Sequence, residues 1–231
     1  IGLITLGTDF RIEKDFNNLI YGKDIDLYVN RIHSHNPLTN ETLAKMAEDI
    51  TNVTKDILPD QKIDCVAYGC TSGTVAVGYD TIKSRINLAK PDAKVTTPIT
   101  SAIKALRKLN IKKISIFTPY TKTINDSVIK YFKKENITIN SLTYFDIASD
   151  LDIGKIDENY LFEVLSKINL EDSDALFVSC TALPILSIID KLEKKLNKFI
   201  LSSNQTLIWE TLNLIGNKKK IVGFGKIFEI N

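Results

Sequence analysis

DCVAYGCTSG, residues 64–73, returns 110 positions later as DALFVSCTAL, residues 174–183. Each copy is an acidic residue, a short apolar run bounded by turn formers, and then a Cys-Thr pair, which reads as a buried strand delivering a cysteine to its end. Two flanking matches keep the same order. IGLITLGTD (1–9) resembles KISIFTPYT (113–121), with Thr5 against Thr118, and KVTTPITSAIKAL (94–106) resembles FILSSNQTLIWETL (199–212), with Thr97 against Ser202. Ordered self-similarity at a nearly fixed offset predicts a duplicated α/β unit.

Outward from these motifs, short apolar runs alternate with amphipathic stretches. Helices are predicted near 40–58, after Gly73, and over 99–109, 124–135, 158–168, 183–196 and 205–214, with strands at 1–6, 64–69, 94–98, 113–119, 137–145, 174–179 and 199–203. Strand and helix in succession mean parallel sheet covered by helices. The expected fold is therefore α/β, with two pseudo-symmetric lobes, each a parallel sheet flanked by helices, and the active site between them. Residues 1–98 plus about 203–231 would form the first lobe and 99–202 the second.

The chain has 231 residues, 44% of them apolar and 25% charged, an ordinary globular composition. Thirty basic and 28 acidic residues are interspersed, for a net charge of +2, so nothing resembles the concentrated basic field of a nucleic-acid binder. Lys218 to Lys220 read as a solvated turn. No apolar run approaches the roughly 20 residues that cross a bilayer, and the N-terminus shows no secretion signal, so no membrane partner and a cytoplasmic location are expected. Three cysteines without CxxC spacing argue against a disulfide framework and a structural zinc site. His33 and His35, in RIHSHNPLTN, lack further ligands nearby, so neither a metal nor a cofactor is expected. The sequence is compatible with a homo-oligomer without specifying one.

Ligands of parallel α/β sheets bind beyond the carboxyl ends of the strands. Polar residues gather there: Thr8 and Asp9, Cys70 to Thr74, Thr118 to Thr121, Cys180 and Thr181, and Ser202 to Gln205. A thiol at a helix N-terminus is expected to drop below its free pKa of about 8.5 and serve as base or nucleophile. Thr71, Ser72 and the backbone after Cys180 would supply donors for a carboxylate. Cys65, inside its strand, reads as a small buried hydrophobe. Two opposed thiols suit removal of a proton from one face of a carbon α to a carboxylate and delivery to the other. They equally suit addition to a double bond, rotation and elimination.

At GCTSGT and SCTALP the chain resembles the Asp/Glu racemase superfamily, in the branch that holds maleate isomerase, arylmalonate decarboxylase and the ectoine-utilisation racemase-like proteins, and most closely the last group. LGTDFRIEKDF, RIHSHNPLT, TTPITSAIKAL, FTPY, Glu193 and SSNQTLIW extend the resemblance along the whole chain. It implies a cofactor-independent enzyme with Cys70 and Cys180 as the catalytic pair. Thr71, Ser72 and Tyr120 would bind a substrate carboxylate, and Thr181 would offer a backbone amide. Arylmalonate decarboxylases have glycine where Cys70 stands, which counts against decarboxylation. Maleate isomerases typically have asparagine where Asp9 stands. An anionic Asp9 would repel a second carboxylate, so it suits an ammonium group, and it also suits the cap of a helix. Asp150 and Asp152 fall where relatives place a polar residue facing the substrate.

The function expected from these features is a racemase or isomerase of a small carboxylate, an amino acid or acylated amino acid, working by two-cysteine acid–base chemistry. Maleate-type cis–trans isomerisation through a cysteine adduct is the alternative. A non-catalytic small-molecule binding module is a third, since two lobes around a cleft also serve binders.

Overall fold

The computed structural model describes residues 1–230. Its chain order is β1 (Gly2–Leu6), α1 (Ile12–Ile20), β2 (Tyr28–Ile32), α2 (Asn40–Met46), α3 (Ile50–Lys55), β3 (Cys65–Gly69), α4 (Thr71–Val77), α5 (Tyr79–Ala89), β4 (Lys94–Thr96) and α6 (Pro98–Lys108). The second series is β5 (Lys113–Thr118), α7 (Lys122–Lys134), β6 (Thr138–Tyr144), α8 (Asp150–Gly154), α9 (Glu158–Leu165), β7 (Ala175–Val178), α10 (Ile189–Leu196), β8 (Phe199–Ser202) and α11 (Ser203–Leu214).

Eight strands form two sheets of four, ordered β2-β1-β3-β4 and β6-β5-β7-β8, and all neighbours are parallel. The orders are identical once the second series is set on the first, so β1 matches β5, β3 matches β7 and β4 matches β8. These are the pairings that the three sequence matches predict. The central strands β1, β3 and β7 are buried at every position, as near-continuous apolar runs in covered parallel sheets must be.

Several boundaries differ from expectation. The helix expected over 40–58 is two short helices joined by a 3₁₀ turn at Ala47–Asp49. The helix after Gly73 breaks at Gly78, whose φ of +90° ends α4 and starts α5. Residues 183–188 are turns and 3₁₀ helix rather than the start of α10. α1, β2 and α8 are additional to the sequence reading. Beyond α11 the chain returns without a strand, and a 3₁₀ turn at Lys226–Phe228 is its only helical piece among the described residues.

α11 packs on β3 and β4 of the first sheet and against α6. It is buried on nearly every face, Thr206, Glu210 and Thr211 as well as Leu207, Ile208 and Leu212, so it lies inside the molecule. Its N-terminus abuts the ends of both β3 and β7, which positions the site.

Candidate active site

Cys70 is the first residue past β3 and the N-cap of α4, in extended conformation. Its Sγ takes the place of a capping oxygen, accepting the Gly73 N–H at 3.2 Å, with Ser72 Oγ 3.8 Å away. Gly73 is required for this approach. A Cβ there would lie 2.8 Å from the sulfur and 3.1 Å from Tyr68 Oη.

Cys180 stands two residues past β7, one further than its counterpart, at φ +103°. That region is unfavourable for any L side chain, at a cost on the order of 1–3 kcal/mol, and persists only where the surroundings enforce it. Here the Cys180 N–H donates to Ser203 Oγ at 3.0 Å. The thiol meets the Ala182 N–H and the Tyr120 hydroxyl.

One hydroxyl joins the two cysteine loops: Ser203 Oγ also accepts from Thr71 Oγ1 at 2.8 Å. Thr181 Oγ1 reaches across to the Gly69 carbonyl at 3.4 Å, and its own carbonyl accepts Asn204 Nδ2 at 2.8 Å. Tyr120 meets the Cys180 thiol, its ionisation opposed by both Cys180 and Cys70, and Ser179 donates to its oxygen at 3.5 Å. Asp9 uses Oδ1 to accept from Arg11 N (2.7 Å) and Ile12 N (3.1 Å) at the start of α1. Its charge also acts on both thiols. Thus Cys70, Cys180, Asp9, Thr71, Ser72, Tyr120 and Thr181 are brought to one place, and none is more than 5% exposed. The hydroxyl of Thr71 is committed to Ser203, so Ser72 and Tyr120 are the freer donors of the expected set.

The expected fall in thiol pKa is not found. Burial pushes Cys70 up to about 12 and Cys180 well above its ordinary value. The carboxylates of Asp150 and Asp9 add to the rise, and the backbone N–H bonds offset only part of it. Cys65, buried at the start of β3, is likewise raised to about 12 by burial and has no such surroundings.

Tyr68 and Asp15 escape sequence reading, and Asp150 and Ser203 are named there without a role. Tyr68, last but one in β3, reads as core, yet its buried hydroxyl has no partner and stands by Cys70. Asp150, 3% exposed, accepts from Thr8 Oγ1 at 2.7 Å across the lobes, and its charge opposes ionisation of both thiols. Asp15 binds Asn204 Nδ2 at 2.8 Å, and burial raises its carboxyl to about 7. Ser203, one of the polar residues expected at a strand end, takes its particular role because α11 starts between the cysteine loops. By contrast, Asp152 is a surface partner of Lys155, and His33 and His35 pack edge to face at 4.7 Å. Among the described residues no group of three or more His, Cys, Asp or Glu side chains is placed to hold a metal ion.

The family model for arylmalonate decarboxylase matches residues 36–228. A maleate isomerase from Geobacillus stearothermophilus is 26% identical over 198 residues, 82% of this chain and 78% of that protein. The fold is shared with Nocardia farcinica maleate cis–trans isomerase, solved as a cysteine-to-serine variant with a covalently bound succinylcysteine intermediate: TM-score 0.91, 18% identity, 100% of this chain and 98% of that one. A maleate isomerase variant of Pseudomonas putida S16, solved with maleate, superposes with TM-score 0.90 at 19% identity, over 99% and 96% of the two chains.

Proposed function

The chain belongs to the arylmalonate decarboxylase family, and from that premise we propose that it interconverts the cis and trans forms of a small unsaturated carboxylate through a covalent adduct on Cys70. The single observation that carries this reading is the meeting of Cys70 and Cys180, from equivalent strands of two like sheets, near Tyr120 in a closed site. Relatives that are maleate isomerases, one of them solved with a succinylcysteine intermediate, move the weight to this chemistry from the racemase that the sequence reading prefers.

Cys70 is the better nucleophile because the Gly73 N–H reaches its sulfur at the N-terminus of a helix, whereas the Ala182 N–H at Cys180 belongs to a turn. The Cys70 proton leaves to solvent while the site is open, since burial in the closed site opposes ionisation. The thiolate adds to one carbon of the double bond, and the Cys180 thiol gives its proton to the other. The former double bond, now single, rotates. The Cys180 thiolate then takes the proton back, the C–S bond breaks, and the trans product leaves with both sulfurs restored. Ser72, Tyr68 and Tyr120 hydroxyls are the donors available to the carboxylate whose charge grows as the adduct forms.

The test is turnover of cis-unsaturated C4 acids, followed by ultraviolet absorbance, with intact-protein mass spectrometry of quenched reactions. Cys70→Ser should lower turnover at least about 10³-fold and lose the adduct, and Cys180→Ser should lower turnover similarly while the adduct accumulates. Full activity in Cys70→Ser would sink the mechanism.

A further inference from the structure

The polar groups around the two thiols divide into donors and acceptors. Tyr68, Tyr120 and Ser72 offer hydroxyls. Asp9 and Asp150 offer carboxyl oxygens, and no cation neutralises either of them directly. Asp9 Oδ2 is fully buried and makes no hydrogen bond of good geometry; the Thr181 hydroxyl stands near it, with the Gly69 carbonyl 3.4 Å away as its other acceptor. Asp150 is bonded only to Thr8, through Oδ2.

The groups facing these carboxyls are few. Arg31 places its Nη1 on the Asp9 backbone carbonyl at 2.6 Å and forms its ion pair with Glu13. Arg11 points its Nε and Nη2 at the Gly154 carbonyl. Asp15 adds a third acid beside Asp9. An unpartnered buried acceptor is costly to keep, so a site that retains one has a use for it when occupied.

We propose that Asp9 and Asp150 select what the substrate carries opposite its carboxylate: a nitrogen-borne hydrogen-bond donor, as in a carboxamide, rather than a second carboxylate. The inference rests on the cis–trans isomerase reading and narrows its substrate to half-amides of unsaturated diacids and compounds like them. A carboxylate placed there would lie against two acids in a site closed to water, where like charges repel strongly. An amide NH₂ has two donors, one for each carboxyl. Burial raises the Asp9 carboxyl above its ordinary value, and its two backbone N–H bonds, the Thr181 hydroxyl and Arg31 offset part of that rise. Asp150 is raised only to about 6, so it is largely ionised at neutral pH.

The experiment compares maleamate, the half-amide of maleate, with maleate at pH 7.5, reading kcat/KM and the rate of cysteine adduct formation. The wild-type protein should favour maleamate by about 100-fold, and the Asp9→Asn, Asp150→Asn double variant should lose at least tenfold of that preference by gaining on maleate. Asp150→Asn alone carries the same comparison if the double variant does not fold, since an amide oxygen can still accept from Thr8. Equal use of both compounds, or a preference for maleate, overturns the inference and leaves the isomerase reading standing. Neither turnover nor an adduct with either compound overturns the isomerase reading and this inference with it.

Discussion

At the scale of single residues, Cys180 carries the clearest sign of function, a strained backbone under a buried thiol. Glycine adopts φ +103° freely, so Cys180→Gly should relieve strain that Cys180→Ala retains. The glycine variant is expected to unfold about 1 kcal/mol higher than the alanine variant in denaturant titration, with both inactive. Equal stabilities would mean that the strain is not real. The pair of cysteines was legible in the sequence because a repeated Cys-Thr after two similar runs is a pattern independent of any pocket. Tyr68 was not, since an aromatic in a buried strand looks like core and only the structure shows its hydroxyl without a partner. Asp9 is not the cap residue of α1, which is Arg11, yet its Oδ1 still accepts the N–H groups of Arg11 and Ile12 there, and Oδ2 is left over.

At the scale of elements, the first turn of α11 locks the site together. Ser202 and Gln205 form a reciprocal capping box that fixes where the helix starts. The next residue, Ser203, can then serve Cys180 N and Thr71 Oγ1 together. Ser203→Ala leaves a buried N–H and a buried hydroxyl without their acceptor, at an expected cost of about 1–3 kcal/mol in chemical denaturation. Because it frees both cysteine loops, kcat should fall more than stability alone explains, by about tenfold or more at a temperature where the variant is fully folded. Unchanged kcat would make Ser203 a structural residue only. SSNQTLIW displays this helix start plainly, but not that it meets two strand ends. Elements were missed where the pattern was weak. β2 is an edge strand whose Asn30 and Arg31 interrupt the apolar run. α1 keeps Ile12, Phe16, Leu19 and Ile20 on one face, yet nine residues with Asn17 and Asn18 inside give a short period to read.

At the scale of the molecule, the duplication explains why the cysteines meet, because two sheets of identical order bring equivalent strand ends to one cleft. The same view raises the question of entry, since every site residue is buried and surface hollows such as that between Asp56–Ile63 and Ala89–Ala93 hold none of them. The two sides of the cleft differ. Beside α11 the lobes are joined through the buried bonds of Ser203 and Asn204. On the other side the bonds, Leu38 N to the Ala148 carbonyl among them, lie nearer the surface. Thr8 donates to Asp150 and accepts from Ser34, Arg11 holds the Gly154 carbonyl, and the exposed ring of Phe10 lies where a Cβ on Gly154 would stand. Opening should therefore occur at the Thr8–Asp150 edge with α11 as the fixed side. Thr8→Val keeps the shape and removes a hydrogen bond to a charged acceptor, a loss of roughly 1.5–3 kcal/mol that favours the open state. Alkylation of Cys70 and Cys180 by a small thiol reagent should accelerate about tenfold or more in this variant, with Cys65 as the internal control. Equal acceleration of all three cysteines would mean global unfolding, and no acceleration would place the entrance elsewhere.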